Sequence, residues 1–179
     1  MLNFKCCILN YRAMKPNTYT KLYVHCVFSP KRRYSISDNT LNEKVFKYIY
    51  GIIKEKGCFP VIINGMSDHI HILVGFKPEI SISDLVRDIK RSSSLFINSG
   101  LKSYSNFKWQ EGYGAFTVCY RHLNDVFNYI LKQEEHHRKT KFKEEYLALL
   151  HEEGVEFKDD YLFEFYENEF DATAPRLVI

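Results

Sequence analysis

Met66-Ser67-Asp68-His69-Ile70-His71-Ile72-Leu73-Val74 decides how the rest of this chain is read. The run is β-branched and apolar, which predicts a strand. Side chains alternate faces along a strand. His69, His71 and Leu73 therefore share one face, and Ile70, Ile72 and Val74 share the other. The second face is uniformly apolar and reads as core. The first sets two imidazoles side by side, as a metal ion needs from two ligands on one rigid element. One strand histidine is usually just a hydrogen-bonded, partly buried side chain. His-x-His alone recurs in unrelated folds, so a third ligand and a nucleophile have to come from elsewhere.

Working outward, 179 residues favour one domain with a possible appendage. Hydrophobic content of 45% and aromatic content of 16% suffice for a core. No apolar run approaches the ~20 residues of a membrane span. Met1 to Met14 lacks a signal peptide's apolar core and cleavage site, so a cytoplasmic protein is expected. Five scattered cysteines (Cys6, Cys7, Cys26, Cys58, Cys119) form no Cys-x-x-Cys pair and read as packing residues. Residues 152–171 carry nine acids and one lysine, whereas residues 1–151 carry 23 Lys/Arg against 13 Asp/Glu. A basic body with an acidic end suits a polyanionic partner such as nucleic acid, although an ordinary solvated surface would look similar.

In chain order, residues 1–14 read as a weakly ordered N-terminal extension, 15–155 as the domain, and 156–179 as a peripheral acidic tail. Thr18 to Phe28 reads as the first strand, ended by a basic loop with Arg32 and Arg33. Ser37 to Thr40 offers N-caps to a helix in which Leu41, Val45, Tyr48, Ile49, Ile52 and Ile53 recur at helical spacing, stopped at Gly57. Cys58 to Ile63 is a second strand, and Asn64-Gly65 predicts a tight turn into the histidine strand. Ser81-Ile82-Ser83-Asp84 resembles a capping box with Asp in place of Glu. The helix it opens has Leu85, Ile89 and Leu95/Phe96 as its expected buried stripe and runs to about Gly100. Its expected outer face carries Arg87, Lys90, Arg91 and Ser93, which suit phosphate contacts. Residues 107–118 read as mostly extended, Leu123 to about His137 as a third helix, and Lys141 to His151 as a fourth. The order β-α-β-β-α-β with trailing helices predicts an α+β, ferredoxin-like (RRM-like) antiparallel sheet with two helices on one face and the other open to ligands.

The third helix contains Tyr129-Ile130-Leu131-Lys132-Gln133. Residues four apart share a helix face, so Tyr129 and Gln133 point together. Gln133 can offer an amide oxygen to a hard cation. Tyr129 can offer a phenolic nucleophile.

Four blocks together resemble the single-tyrosine HUH (His-hydrophobic-His) transposases of the insertion-sequence TnpA type. They are Tyr19 to Phe28, Asp68 to Leu73, Trp109 to Phe116 and Tyr129 to Arg138. The resemblance spans Tyr19 to about Phe163 and implies the HUH endonuclease fold. It implies His69, His71 and Gln133 as ligands of Mg²⁺ or Mn²⁺, and Tyr129 as the nucleophile that forms a 5′-phosphotyrosine. It also implies single-stranded DNA with hairpins as substrate, and a homodimer whose tyrosine helices can complete each other's sites. Arg138 closes the tyrosine helix, where a cation complements the helix dipole and can touch phosphate. Three other readings compete: a housekeeping HUH enzyme acting on repeated palindromes, an inactive single-strand nucleic-acid-binding module, and a hydrolase using metal-bound water. The last two leave Tyr129 without a role.

Overall fold

The structure, a computed structural model, describes residues 19–31, 39–100 and 106–165. Four strands form one antiparallel sheet: β1 (Leu22–Phe28), β2 (Phe59–Gly65), β3 (Ile70–Phe76) and β4 (Gly114–Thr117). Their order is β2-β3-β1-β4. Helices α1 (Asn39–Glu55) and α2 (Ile82–Gly100) fill the two connections, so the fold is α+β and ferredoxin-like. Three further helices follow: α3 (Leu123–Leu131), α4 (Gln133–His137) and α5 (Phe142–Glu152).

The alternation in β3 has the predicted consequence. Ile70, Ile72 and Val74 lie in the main core with Val45, Ile49 and Ile53 of α1 and Leu85, Val86 and Ile89 of α2. The other sheet face is not open. Leu73 and Ile62 pack there under Leu123 and Ile130 of α3, all four buried. An apolar helix face next to an apolar strand face buries both from water, which outweighs leaving the sheet exposed.

The cap of α2 forms on Ser81, whose Oγ accepts from the Asp84 backbone N–H at 3.1 Å and donates to Asp84 Oδ2 at 2.6 Å. The β2–β3 turn lies later than Asn64-Gly65 suggests. Gly65 is still in β2, paired with Ile70, and the turn is closed by Met66 N–H donating to His69 O at 3.0 Å. A Cβ on Gly65 would lie 2.3 Å from that same carbonyl, so only glycine fits this closure. Asn64 instead donates through Nδ2 to Ile130 O at 2.7 Å, docking the C-terminal end of α3 on the sheet.

The chain beyond 156 is not peripheral where it is described. Phe163 is buried, with its ring 4.7 Å from Tyr146 and 6.0 Å from Phe142, both on α5. Gln110 clamps this segment: its Nε2 donates to Glu164 O at 2.9 Å, and its Oε1 accepts from Glu164 N–H at 2.7 Å. Gln110 Nε2 also reaches Ser29 Oγ at 3.1 Å, and Ser29 Oγ donates to Asp68 O at 2.6 Å. One polar chain thus ties the C-terminal segment, the end of β1 and the turn that carries His69. Arg32 and Arg33, with residues 1–14, lie outside the described residues. Among the described residues, no helix is long and apolar enough to cross a membrane.

Candidate active site

His69 and His71 are buried, with ring centroids 4.9 Å apart. Each has its Nδ1 engaged. Asp68 Oδ1 lies 2.7 Å from His69 Nδ1, and His25 Nε2 lies 2.9 Å from His71 Nδ1. Partners on Nδ1 fix the tautomer and leave Nε2 facing the centre, the arrangement that orients metal-bound imidazoles. His71 Nε2 is buried and makes no hydrogen bond.

The third element is α5. Glu145, 3% exposed, is the acidic side chain that the described core buries. Its Oε1 accepts from Gln133 Nε2 at 2.7 Å and from the Tyr129 hydroxyl. Its Oε2 accepts from His137 Nε2 at 2.8 Å. His69 Nε2 and His71 Nε2 lie 3.6 and 3.5 Å from its carboxylate oxygens. Phe142, one helical turn before Glu145, stacks flat on His69 at 4.2 Å. The ring of Tyr129 stands edge-on to His71 at 5.9 Å.

The electrostatics follow from burial and one carboxylate. Burial, reinforced by His71, pushes His25 down to about 3. Burial pushes His71 down to about 4, against the pull of Glu145. His69 differs: burial opposes its charge, but Asp68 and Glu145 outweigh it and raise its pKa. Burial also works against the Glu145 charge, yet His71, His137 and His69 hold it well below the usual carboxylate range. Burial, then Glu145, hold the Tyr129 phenol well above its usual range, so the resting hydroxyl keeps its proton.

These residues fit a divalent cation. His69 Nε2 and Gln133 Oε1 lie 3.2 Å apart. With Nδ1–H spent on Asp68, both atoms are acceptors, so a proton or a cation must sit between them. Ligand atoms of His69, His71 and Glu145 also lie within 4.8 Å of one another. Two imidazole nitrogens with amide and carboxylate oxygens suit Mn²⁺, and the oxygens suit Mg²⁺.

The family model described as Transposase IS200 like matches residues 18–133. This chain belongs to the IS200-like transposase family. It is of the single-tyrosine HUH kind. A candidate transposase from Deinococcus radiodurans R1 has a similar fold, with a TM-score of 0.54, 21% identity, and coverage of 68% of this chain and 97% of that one. The structure of a REP-associated tyrosine transposase bound to a REP hairpin covers 93% of this chain and 99% of its own, with 15% identity and a TM-score of 0.47. No curated protein matches.

In this transposase the four expected residues, His69, His71, Tyr129 and Gln133, come together within a single chain. In this single chain the tyrosine helix lies on its own sheet, with Ile130 packed against Leu73 and Ile62. Tyr129 and Gln133 do not share one unbroken helix, because the chain leaves helical geometry at Lys132 (φ −96°, ψ 19°). The nucleic-acid candidates fare unevenly. Ser93 is fully buried, donating to Ile89 O at 2.6 Å and accepting from Trp109 Nε1 at 2.8 Å, so it is a core residue. Lys90 Nζ donates to the carbonyls of Gln110 and Gly112 at 2.5 and 2.6 Å, and burial lowers it to about 8. Arg91 is exposed, Arg87 is exposed and paired with Asp84 at 2.6 Å, and exposed Arg138 lies 3.5 Å from Glu134.

Sequence reasoning missed the roles of Glu145, His137 and Asp68. Glu145 lies past the stretch the family model matches. Its signal was an acid three residues after Phe142 and one before Tyr146, inside an apolar helix stripe. His137 falls four residues after Gln133, on the same side.

Proposed function

We propose that this chain is a metal-dependent single-stranded DNA transposase. It cleaves and rejoins strands through a 5′-phosphotyrosine at hairpin-bearing element ends. The observation that carries the reading is the convergence of the Tyr129 hydroxyl with the Nε2 atoms of His69 and His71 on one buried point. A water-using hydrolase or a passive binding module has no need of that phenol.

A Mg²⁺ or Mn²⁺ ion held by His69 and His71, with the Gln133 amide oxygen in reach, would supply Lewis acidity and positive charge for a phosphate oxygen. The chain's own residues do the rest. Asp68 and His25 keep the imidazoles in register. Tyr129 Oη attacks phosphorus and gives up its proton as the strand's 3′-oxygen leaves and takes one up, and the phosphodiester energy is conserved in the new Tyr–phosphate bond. A second 3′-hydroxyl reverses the step and rejoins the strand, with no nucleotide cofactor. The strand reaches Tyr129 through a cleft of about 390 Å³ lined by Asn128, Lys132, His136 and Lys139. A second cleft, about 440 Å³, has Arg91 and Lys108 in its lining, which offer cationic groups to duplex phosphates. A second copy of the chain is not needed to complete the residue set.

The test uses single-stranded DNA from the gene's flanks, carrying its palindromes, with Mn²⁺. Wild type should release a cleaved strand and a covalent protein–DNA species. Chelation should abolish both reversibly, and His71→Ala should abolish both. Full cleavage in chelator would refute the reading.

A further inference from the structure

The helix break at Lys132 falls between Tyr129 and Gln133, so helical geometry alone does not hold the phenol and the amide in register. What they share is a single atom, Glu145 Oε1, to which both donate. The consequence for Gln133 is decided by the chemistry of an amide. Its nitrogen and oxygen point apart, so committing Nε2 to Glu145 obliges Oε1 to face His69 Nε2, where it lies 3.2 Å away. A flipped amide would set a donor against the cation position. Glu145 is itself fixed, because its other oxygen is taken by His137 Nε2 at 2.8 Å and its helix is stacked on His69 through Phe142.

We infer that Glu145, clamped by His137, is a positioning residue. It sets the Gln133 amide to present its oxygen to the cation, and it holds the Tyr129 hydroxyl beside the same point. The inference rests on the function proposed above. It assigns Glu145 a role through hydrogen-bond acceptance rather than through its charge as a ligand. Glutamine at 145 can do the same: its oxygen accepts from Gln133 and Tyr129, while its NH₂ donates to a His137 tautomer with a free Nε2 lone pair.

Mn²⁺ binding to the DNA-free full chain, followed by electron paramagnetic resonance, tests this without reference to cleavage. Glu145→Ala should weaken Mn²⁺ binding by about tenfold or more, the range seen when such supporting partners are removed. Gln133→Ala should weaken it similarly, and the double variant should be little worse than either single one. Glu145→Gln should bind Mn²⁺ within about threefold of wild type, because its oxygen still accepts from Gln133. Loss of Mn²⁺ in Glu145→Gln would overturn the inference, because the charge would then be the ligand. Unchanged Mn²⁺ binding in Gln133→Ala, or a faster adduct in Glu145→Ala, would overturn it too. If Glu145→Ala does not fold, the Glu145→Gln and Gln133→Ala arms still decide. A wild type that binds Mn²⁺ but forms no adduct sinks the functional reading and leaves these binding arms standing.

Discussion

Replacing Phe163 with alanine tests whether the C-terminal segment belongs to the domain that builds the site. The ring is 8% exposed and lies against Phe142, Tyr146 and Phe165. Removing a buried Phe ring costs about 3–5 kcal/mol. Phe163 sits at the rim of the core, where neighbours can relax, so about 3 kcal/mol is expected. With a urea slope of roughly 2 kcal/mol per M, the unfolding midpoint should fall by about 1.5 M. Tyr161→Ala is the control. Its side chain is 83% exposed, and its substitution should shift the midpoint by no more than about 0.25 M. Urea titrations of the three proteins by far-UV circular dichroism give the comparison. A Phe163→Ala midpoint indistinguishable from that of Tyr161→Ala would refute the packing of this segment on α5.

Gly65→Ala drives a methyl into the His69 carbonyl and should cost about 1–3 kcal/mol, with weaker Mn²⁺ binding because the His69 turn must shift; a neutral thermal melt would contradict this. The cation-free chain should be acid-labile. His25 and His71 are held at about 3 and about 4, below an unfolded value near 6.5, so the unfolded chain binds more protons as pH falls. Stability from this pair is present above about pH 6.5 and is lost as pH drops toward 4 and 3, whereas raised His69 favours the folded chain at lower pH and loses that contribution at higher pH. The urea midpoint should therefore drop between pH 7 and 4.5, and a flat profile would refute the burial of neutral imidazoles. A verified heterodimer of Tyr129→Phe and His69→Ala chains should be silent in cleavage, because each site is built within one chain; recovered cleavage would show exchange between subunits.

The fold was legible where periodicity was strong. The alternation in Ile70–Val74 and most of the apolar stripes of α1 and α2 placed the core, because burial on one face leaves a period in the sequence; Tyr48 and Leu95 keep that period but are exposed. Ser93 misled because a serine among basic residues looks solvent-facing, yet its hydroxyl is satisfied by Ile89 and Trp109 inside the core. Asn64-Gly65 has a tight-turn pattern, but the turn falls after it, and Asn64 docks a helix some 66 residues away. Spacing and resemblance grouped the histidine pair, tyrosine and glutamine, and the fold brings these four side chains close together. Glu145 was not, since its partners lie on three separate stretches and only the fold brings them together. The acidic C-terminal composition likewise hid two phenylalanines that pack on α5.

The most direct measurement of the central claim is the position of the DNA–protein bond. Wild-type protein is reacted with a flanking-hairpin oligonucleotide in Mn²⁺, digested with nuclease and protease, and mapped by tandem mass spectrometry. The account predicts one nucleotide-bearing peptide, with the 5′-phosphate ester on Tyr129 and none in Tyr129→Phe. An ester mapped to Tyr113 or Tyr120, or cleavage with no ester at all, would contradict it.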